Sequence, residues 1–442
     1  MKIFSQEEKK QLTENKKGSS IVMLSIIFAA FALCITGAIG VARMLTVRSE
    51  CEVFGRVWTK AILSEYDRHL MEDYAIMAYF GNESEVQSKI DLYLEYSAAN
   101  KLNASIKGSS SELYGYELGD PKNFRKALSS SLASYAVENI LKGNKRTKRP
   151  DKNNGNFGKR DIKDRVVIST LPSEGIRNTV DVQGIIDKAK SGINSSNIYE
   201  AFIGYSAEIA FIKKYFGSKV TYVSEKPCYF QNEMEYVLIG KIDDEVNRKA
   251  CRRRILLIRN ALNLASIYKD PEKLNLIKSV ANIITPGPGS AITEVIIAEA
   301  WALYETEKDI DDLYDNRRVP LIKTVDNWKT DLKDILDTDQ LRSKLDDESK
   351  KQLDEKGNEI KKIASFEKGK RIVKEGLTYD EYLMMMIMSL NDNVRLLRIM
   401  DIVQINMKYR HYRDFNMMEY FIGVRFSIEA NGRSYDFEDY YK

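Results

Sequence analysis

The feature that most constrains this chain is an uncharged stretch near its N-terminus. From Gly18 to Ala42 there is no charged residue for 25 positions, and the side chains are mainly Ile, Leu, Val, Phe and Ala. About 20 apolar helical residues span the hydrocarbon core of a bilayer. Backbone groups in lipid must also satisfy their own hydrogen bonds. The stretch therefore predicts a transmembrane helix over residues 21–43.

The length of the stretch separates a permanent anchor from a cleaved secretory signal. The apolar core of a signal peptide runs for roughly 7–15 residues, which is shorter than this stretch. Gly40, Val41 and Ala42 offer small residues at which a signal peptidase can cut, so cleavage stays open as an alternative. Length favours a retained anchor.

The charges on either side of the stretch bear on its orientation. Five lysines precede it, and three arginines and Lys60 follow within a similar distance. The positive-inside rule favours a cytoplasmic N-terminus here by a small margin. We therefore expect residues 1–20 to form a cytoplasmic tail at the cell membrane, with a single span and an extracytoplasmic C-terminal domain.

One face of the predicted membrane helix carries small side chains at a spacing of four. They are Ala30, Cys34, Ala38 and Ala42. Small residues at this spacing let two membrane helices approach closely. Alanine is also common in such helices, so the row is either a helix-packing face or a result of composition.

Large apolar residues recur every four positions after the membrane stretch. They are Phe54, Trp58, Ile62, Tyr66, Leu70 and Tyr74. A helical period of 3.6 places them on one face. We predict that one continuous helix runs from about residue 21 to about residue 80, and that this stripe carries assembly with neighbouring subunits.

The remaining sequence predicts a mainly helical α+β fold. Residues 44–142 are predicted to form a membrane-proximal helical region, and residues 143–164, rich in Gly, Asn and basic side chains, an exposed basic linker. Residues 165–442 then form an extracytoplasmic α+β domain with small antiparallel sheets. Within it, residues 332–374 are rich in Lys, Glu and Asp and predict a solvated helical insertion.

Several short patterns predict element boundaries. Asp-Pro pairs at 120–121 and 270–271 are typical helix starts. Thr378 and Glu381 have the spacing of a capping box. Residues 165–173 predict a short strand, and residues 220–240 predict two strands around Pro227. Asn431-Gly432 lies between two alternating runs and predicts a C-terminal β-hairpin.

Residue types that carry chemistry are sparse. The chain has two histidines, His69 and His411, both predicted to pack or to lie on the surface. Phosphate-loop, dinucleotide, nucleophile-elbow and zinc-protease motifs do not occur in the sequence. The 68 basic and 64 acidic residues nearly balance, which argues against a nucleic-acid partner. We expect no catalytic residue, no metal site and no cofactor, and hence not an enzyme.

Three further clusters leave alternatives open. Cys228 and Cys251 can form a disulfide or remain buried free thiols. The aspartates between positions 309 and 315 predict a solvated turn. Arg252, Arg253 and Arg254, with Arg259 beyond them, can bind a partner's carboxylates or pair within the chain.

The N-terminal region resembles TadE/TadG-like proteins, the pilin-like components of tight-adherence (Tad/Flp) pili. The resemblance covers residues 16–80 and begins at Lys17-Gly18-Ser19-Ser20-Ile21. It implies that processing can occur after Gly18. Pilin-type signals usually have Glu five residues after this Gly, whereas Met23 stands there.

The outer region resembles an uncharacterised family of Gram-positive, membrane-anchored proteins. Six segments carry this resemblance: EYVLIGK (Glu235–Lys241), RNALNL (Arg259–Leu264), AEAWALYE (Ala298–Glu305), VPLIKTVDNW (Val319–Trp328), GLTYDEYL (Gly376–Leu383) and RIMDIVQINM (Arg398–Met407). Such proteins are associated with pilus assembly genes. The resemblance implies no activity and no catalytic residue.

Together these patterns predict an outward-facing, pilin-like accessory or assembly component of a Tad/Flp-type pilus or a related secretion apparatus. Its expected partners are membrane lipid and other pilus or secretion subunits. The alternatives are an anchored cell-surface binding or sensing module without a pilus role and an anchored hydrolase. A hydrolase that relies on two carboxylates leaves no local sequence motif.

Overall fold

The computed structural model describes residues 6–98, 106–142, 147–148, 171–176, 180–191, 207–223, 227–365 and 376–441. The predicted basic linker at 143–164 lies outside these residues, apart from 147–148. Residues 165–170 of the strand predicted at 165–173 also lie outside them, and residues 172–175 form a turn.

In the first half of the chain, the described residues form six helices and four short strands. The helices are α1 (Gln6–Leu63), α2 (Arg68–Tyr74), α3 (Glu83–Ala98), α4 (Pro121–Lys142), α5 (Val182–Lys190) and α6 (Ala207–Tyr215). The strands are β1 (Tyr79–Phe80), β2 (Ile106–Glu112), β3 (Thr147–Lys148) and β4 (Thr221–Tyr222).

The second half is mainly helical and ends in strands. Its helices are α7 (Glu233–Ile239), α8 (Asp244–Lys269), α9 (Pro271–Ile284), α10 (Ser290–Tyr314), α11 (Asp339–Arg342), α12 (Asp347–Glu355), α13 (Gly357–Ile363), α14 (Tyr379–Met388) and α15 (Asp392–Arg410). Short 3₁₀ turns lie at Val325–Asn327, Leu332–Ile335 and Met417–Glu419, followed by β5 (Tyr420–Phe421), β6 (Gly423–Ala430) and β7 (Arg433–Tyr440). The mainly helical α+β fold is confirmed.

The chain divides into two compact units. Unit 1 comprises Met1–Asp67, Ala78–Glu117 and Glu419–Lys442, and unit 2 comprises Arg68–Met77 and Leu118–Met418. The C-terminal hairpin therefore belongs with α1 rather than with the outer helices, because β6 pairs with β2. A boundary read along the sequence at residue 143 does not separate these units.

Helix α1 ends earlier than its apolar periodicity predicts. It stops at Leu63, and a turn leads into the separate helix α2. Within this turn Asp67 N donates to Ala78 O at 2.8 Å, which brings the chain back to unit 1. The prediction of one helix to about residue 80 is therefore wrong. The four-residue spacing of large apolar side chains continues past Leu63, although the helix ends there.

Unit 1 is built on a three-stranded antiparallel sheet in the order β2-β6-β7. The predicted hairpin is confirmed, with Asn431 (φ 50°) and Gly432 (φ 73°) in the left-handed conformation that a two-residue turn requires. Strand β2 is Ser-rich and was not expected. It is held by pairing with β6, where Ser110 Oγ and Ser427 Oγ are 2.7 Å apart.

The core of unit 1 lies between α1, α3 and this sheet. Trp58 of α1 packs against Phe426 of β6, with ring centroids 6.4 Å apart. Phe426 also contacts Phe437 of β7 at 5.2 Å. Alternate residues of β6 are buried, as expected for a strand with one face on the core.

Gly55 allows the close approach of α1 to β7. A Cβ atom at this position would lie 2.3 Å from the ring of Phe437. We expect Gly55→Ala to destabilise unit 1 by about 1–3 kcal/mol, because overpacking forces neighbouring side chains from their rotamers. Faster hydrogen exchange of the β6 and β7 amides in the detergent-solubilised protein measures this effect.

Gly40→Ala is the matched control on the same helix, since an added Cβ there meets no atom within 4 Å. It should leave exchange unchanged. Equal exchange rates in the two variants would show that α1 does not depend on this close approach.

Unit 2 contains the helices α8, α9 and α10, and both predicted Asp caps that open helices within it are present. Asp270 Oδ1 accepts from Glu272 N at 3.0 Å at the start of α9, and residue 121 begins α4 as predicted. The capping box is also confirmed: Thr378 N donates to Glu381 Oε2 at 2.8 Å.

Two expectations for unit 2 are wrong. Residues 233–239 form helix α7 rather than a strand, and Gly240 ends it in the left-handed conformation. The described part of the charged insertion, residues 332–365, is not a solvated excursion. Its apolar residues, including Leu332, Leu341 and Ile360, are buried in one core with Trp301 and Trp328. Charged side chains outnumber apolar ones there, but the apolar ones lie on the inner faces.

Candidate functional site

The apolar part of α1 is the first candidate site. Every side chain from Ser20 to Thr46 is exposed. Among the described residues, α1 is the one helix long and apolar enough to cross a membrane. Water disfavours so long an exposed apolar surface, whereas lipid does not. The segment fits a single membrane anchor.

The predicted small-residue row lies on this exposed segment. Ala30, Cys34, Ala38 and Ala42 are all in α1, where they are exposed among the residues that the structure describes. Gly18 also lies within α1, with helix on both sides of it. The packing role of the row and processing at Gly18 stay predictions.

The predicted assembly stripe is divided by the end of α1. Phe54, Trp58 and Ile62 pack into the core of unit 1, where Trp58 and Ile62 are buried. Tyr66 is exposed in the turn after α1. Leu70 and Tyr74 lie in α2 and are buried in unit 2. The six residues therefore do not form one free face.

The side of α1 that faces away from the sheet carries exposed apolar residues, which the sequence analysis did not identify as a separate surface. Leu45, Val53 and Val57 are each more than half exposed. Arg48 and Glu52 form an ion pair on the same helix, with Nε and Oε1 2.9 Å apart. The sequence periodicity was assigned to the stripe of larger, mainly aromatic residues. Val53 and Val57 also lie four residues apart, and this spacing is the signal that could have identified them.

The two histidines of the chain lie together in unit 2. The rings of His69 and His411 stack with centroids 4.0 Å apart. Asp73 Oδ2 lies 3.0 Å from His411 Nε2 and accepts from Arg410 Nη1 at 2.9 Å. Within the described ranges no group of His, Cys, Asp or Glu is arranged to hold a metal ion.

Cys228 lies beside this histidine pair, and Arg410 Nη2 is 3.0 Å from its Sγ atom. Burial raises the pKa of Cys228 to about 12, and the charge of Glu233 adds to the increase. A thiol nucleophile reacts as the thiolate. The cluster is therefore unsuited to cysteine chemistry near neutral pH. All four cysteines are free, so Cys228 and Cys251 are not bridged.

A buried carboxyl group lies between α7 and α14. Glu235 is fully buried, and its Oε1 accepts from Lys219 N and from Tyr379 Oη, both at 2.9 Å. Its Oε2 has no hydrogen-bond partner among the residues that the structure describes. Burial raises the pKa of Glu235 to about 7, the bond from Lys219 N opposes this, and the charge of Asp380 adds to it.

A second buried cluster joins α8, α10 and the segment after α10. All five N–H groups of Arg259 have acceptors: Asp309 twice, Asn263, and the carbonyl oxygens of Pro320 and Leu321. Lys323 pairs with Glu305 and lies 2.5 Å from Asp309 Oδ1. These four charged side chains are fully buried. The prediction of a solvated turn is wrong for Asp309.

Burial disfavours the charge of Asp309, but Lys323 and Arg259 outweigh this and lower its pKa below the usual range. The buried cations Arg259 and Lys323 thus lie against the buried anions Asp309 and Glu305. The buried position denies access to a substrate, so the cluster specifies packing rather than catalysis.

Comparison with known proteins adds one result. Neither the curated proteins nor the solved structures give a match to this chain. One family profile matches residues 157–432, which is more than half of the chain and includes all six segments, between Glu235 and Met407, that carry the resemblance of the outer region. The chain belongs to DUF5702, a family of unknown function.

Proposed function

We propose that this protein is a membrane-anchored, outward-facing, pilin-like accessory or assembly component of a Tad/Flp-type pilus or a related secretion apparatus. The observation that carries the proposal is the continuity of α1. Its N-terminal part is apolar and exposed, and its C-terminal part packs on the β2-β6-β7 sheet of unit 1. The single helix α1 therefore joins a lipid-soluble segment to a folded unit.

Such a helix can pass from the lipid bilayer into an assembly of other helices. Its apolar surface is first held by lipid and then by neighbouring helices, so release from the bilayer does not expose it to water. The exposed residues Leu45, Val53 and Val57 extend this surface beyond the span. They replace the buried stripe residues Trp58 and Ile62 as the contacts that we assign to assembly.

Cysteine accessibility tests the orientation. We expect Ser64→Cys, at an exposed position after the span, to react with a membrane-impermeant maleimide on intact cells. Glu7→Cys, at an exposed position before the span, should react only after lysis. The native Cys34, Cys51, Cys228 and Cys251 are replaced by Ser or Ala in both variants. The opposite labelling pattern would overturn the outward-facing proposal.

The assembly role is tested separately. Deletion of the gene should reduce piliation or secretion, and a photo-crosslinking residue at position 53 should form adducts with pilus or secretion subunits. A matched residue at Trp58, which is buried, should give none. Unchanged piliation and secretion in the deletion strain would contradict the role, whatever the topology.

A further inference from the structure

The hairpin formed by β6 and β7 lies along α1 with its turn directed toward the apolar segment. At the open end of the hairpin, Tyr441 Oη donates to the carbonyl oxygen of Leu63, the last residue of α1. At the other end, Ala430 of β6 is buried in one cluster with Val47 of α1. The close approach of α1 to Phe437 lies between these two contacts. The turn is therefore the part of the hairpin nearest to the membrane span.

The turn lies close to the end of the apolar segment. Val47 follows Ala42, the last residue of the uncharged stretch, by five positions, which is about 8 Å of helix at ~1.5 Å per residue. Asn431 and Gly432 extend beyond Ala430 and so lie nearer still to the span. Each headgroup layer of a bilayer is roughly 5–8 Å thick. With Ala42 at the edge of the hydrocarbon core, the turn therefore lies at the level of the headgroups.

Two exposed arginines on different elements lie at this level. Arg43 is the first charged residue after the apolar stretch, and it precedes Val47 by four positions, which places both on one face of α1. This face is directed at the hairpin, because Val47 is buried with Ala430. Arg433 is the first residue of β7, directly after the turn. Both arginines are exposed.

The local charge selects the kind of headgroup. A guanidinium group can donate two parallel hydrogen bonds to a phosphate. Residues 43–49 of α1 and 428–435 of the hairpin contain three arginines and one acidic residue, Glu429. One of these arginines, Arg48, pairs with Glu52 on the same helix. The remaining positive charge next to the turn favours an anionic lipid over a zwitterionic one.

We propose that the β6-β7 turn of unit 1 rests on the headgroup layer of the membrane that α1 spans, and that Arg43 and Arg433 bind the phosphate of an anionic phospholipid there. Unit 1 then contacts the bilayer at two places, the span and the turn, and these fix the angle of its sheet to the membrane. The inference rests on the retained span of the proposed function, and it is independent of the pilus role and of the outward orientation.

Fluorescence quenching in lipid nanodiscs tests the position of the turn. The full chain, with its four native cysteines replaced by Ala or Ser, carries a bimane label at Ser434→Cys, an exposed position beside the turn. The discs contain phosphatidylcholine, part of which has a nitroxide on its headgroup. We expect strong quenching at position 434. The control label at Ser64→Cys, which lies about 33 Å beyond Ala42 at ~1.5 Å per residue, should show none.

Competition between lipids tests the role of the arginines. Added phosphatidylglycerol should displace the nitroxide lipid and relieve the quenching at position 434. Arg433→Ala should lower this preference for phosphatidylglycerol about fivefold, the effect of one basic side chain near a membrane surface. Arg433→Lys keeps the charge and should keep most of the preference. Arg425→Ala, at an exposed position near the other end of β6, is the matched control and should leave the preference unchanged.

The outcomes separate this inference from the anchor itself. Co-migration of the chain with the discs establishes insertion, and circular dichroism checks that each variant is folded. Equal quenching at positions 434 and 64 of the inserted protein would overturn the headgroup contact and leave the anchor in place. An equal preference for phosphatidylglycerol in the natural protein and in Arg433→Ala would do the same. A chain that stays outside the discs would contradict the anchor and the headgroup contact together.

Discussion

Replacing Arg259 with alanine is expected to lower the free energy of unfolding of unit 2 by about 3–5 kcal/mol, because two buried carboxylates, Glu305 and Asp309, would then share one buried cation, Lys323. Asp309 would lose two hydrogen bonds, and the carbonyl oxygens of Pro320 and Leu321 would lose their donor. Lys323 is still present, but it already pairs with Glu305. A loss of this size is a large part of the stability of an ordinary domain.

Tryptophan fluorescence during denaturation can measure this effect in unit 2 alone. The chain has three tryptophans, and Trp301 and Trp328 pack together in the core of unit 2 at 5.5 Å. Trp58 lies in unit 1, so a Trp58→Phe background removes its signal. Arg259→Lys, which keeps the charge but lacks the planar five-donor group, should give an intermediate loss.

Arg317→Ala is the matched control. Arg317 also binds two aspartates, Asp312 and Asp315, but its side chain is 65% exposed. Exposed pairs contribute about 0–1 kcal/mol. Equal losses in Arg259→Ala and Arg317→Ala would show that the buried cluster does not stabilise unit 2.

Glu235→Gln is expected to make unit 2 more stable than the natural protein above neutral pH, and equally stable near pH 4. The folded state holds the Glu235 proton up to a pKa of about 7, whereas the ordinary value is 4.5. Between these values the folded state binds more protons than the unfolded chain. The free energy of unfolding therefore falls as pH rises through this window.

The expected difference reaches about 3 kcal/mol by pH 8, from 1.36 kcal/mol for each pKa unit. Glutamine keeps an oxygen that can accept from Lys219 N and Tyr379 Oη, so it resembles the neutral acid. Denaturant unfolding of both proteins at pH 4, 5, 6, 7 and 8 measures the divergence. Parallel curves over this range would show that Glu235 is ionised in the folded protein at pH 5.

Sequence reasoning worked best where a local rule acts alone. The apolar stretch needs no tertiary contact to be recognised, since its length and lack of charge set its preference for lipid. The capping box at Thr378 and the hairpin at Asn431-Gly432 depend on side chains a few residues apart. Local hydrogen bonds and allowed backbone angles decide such features, and both were predicted correctly.

Sequence reasoning failed where contacts with residues far away in the sequence decide the structure of a segment. Glu233–Ile239 alternates enough to suggest a strand, but its residues are buried among helices and form α7. Helix α1 ends at Leu63 although its apolar spacing continues, because α2 packs into unit 2. Periodicity reports which residues prefer burial, and it does not report which partner buries them.

The candidate surfaces show the same limit. Sequence spacing placed Trp58 on the predicted assembly stripe. In the fold, Trp58 packs against the sheet of unit 1 and is buried. Among the arginines near position 253, only three-dimensional packing separates the buried Arg259 from the exposed Arg253.

The sequence by itself determined the membrane-compatible segment, the mainly helical α+β class and the helix starts at residues 121, 271 and 379, because these depend on local composition and on neighbours along the chain. The tertiary structure alone decided the pairing of β2 with β6, the break after α1, and which charges are buried together. These depend on contacts between residues far apart in sequence, whose free energies exceed local preferences and leave no local pattern.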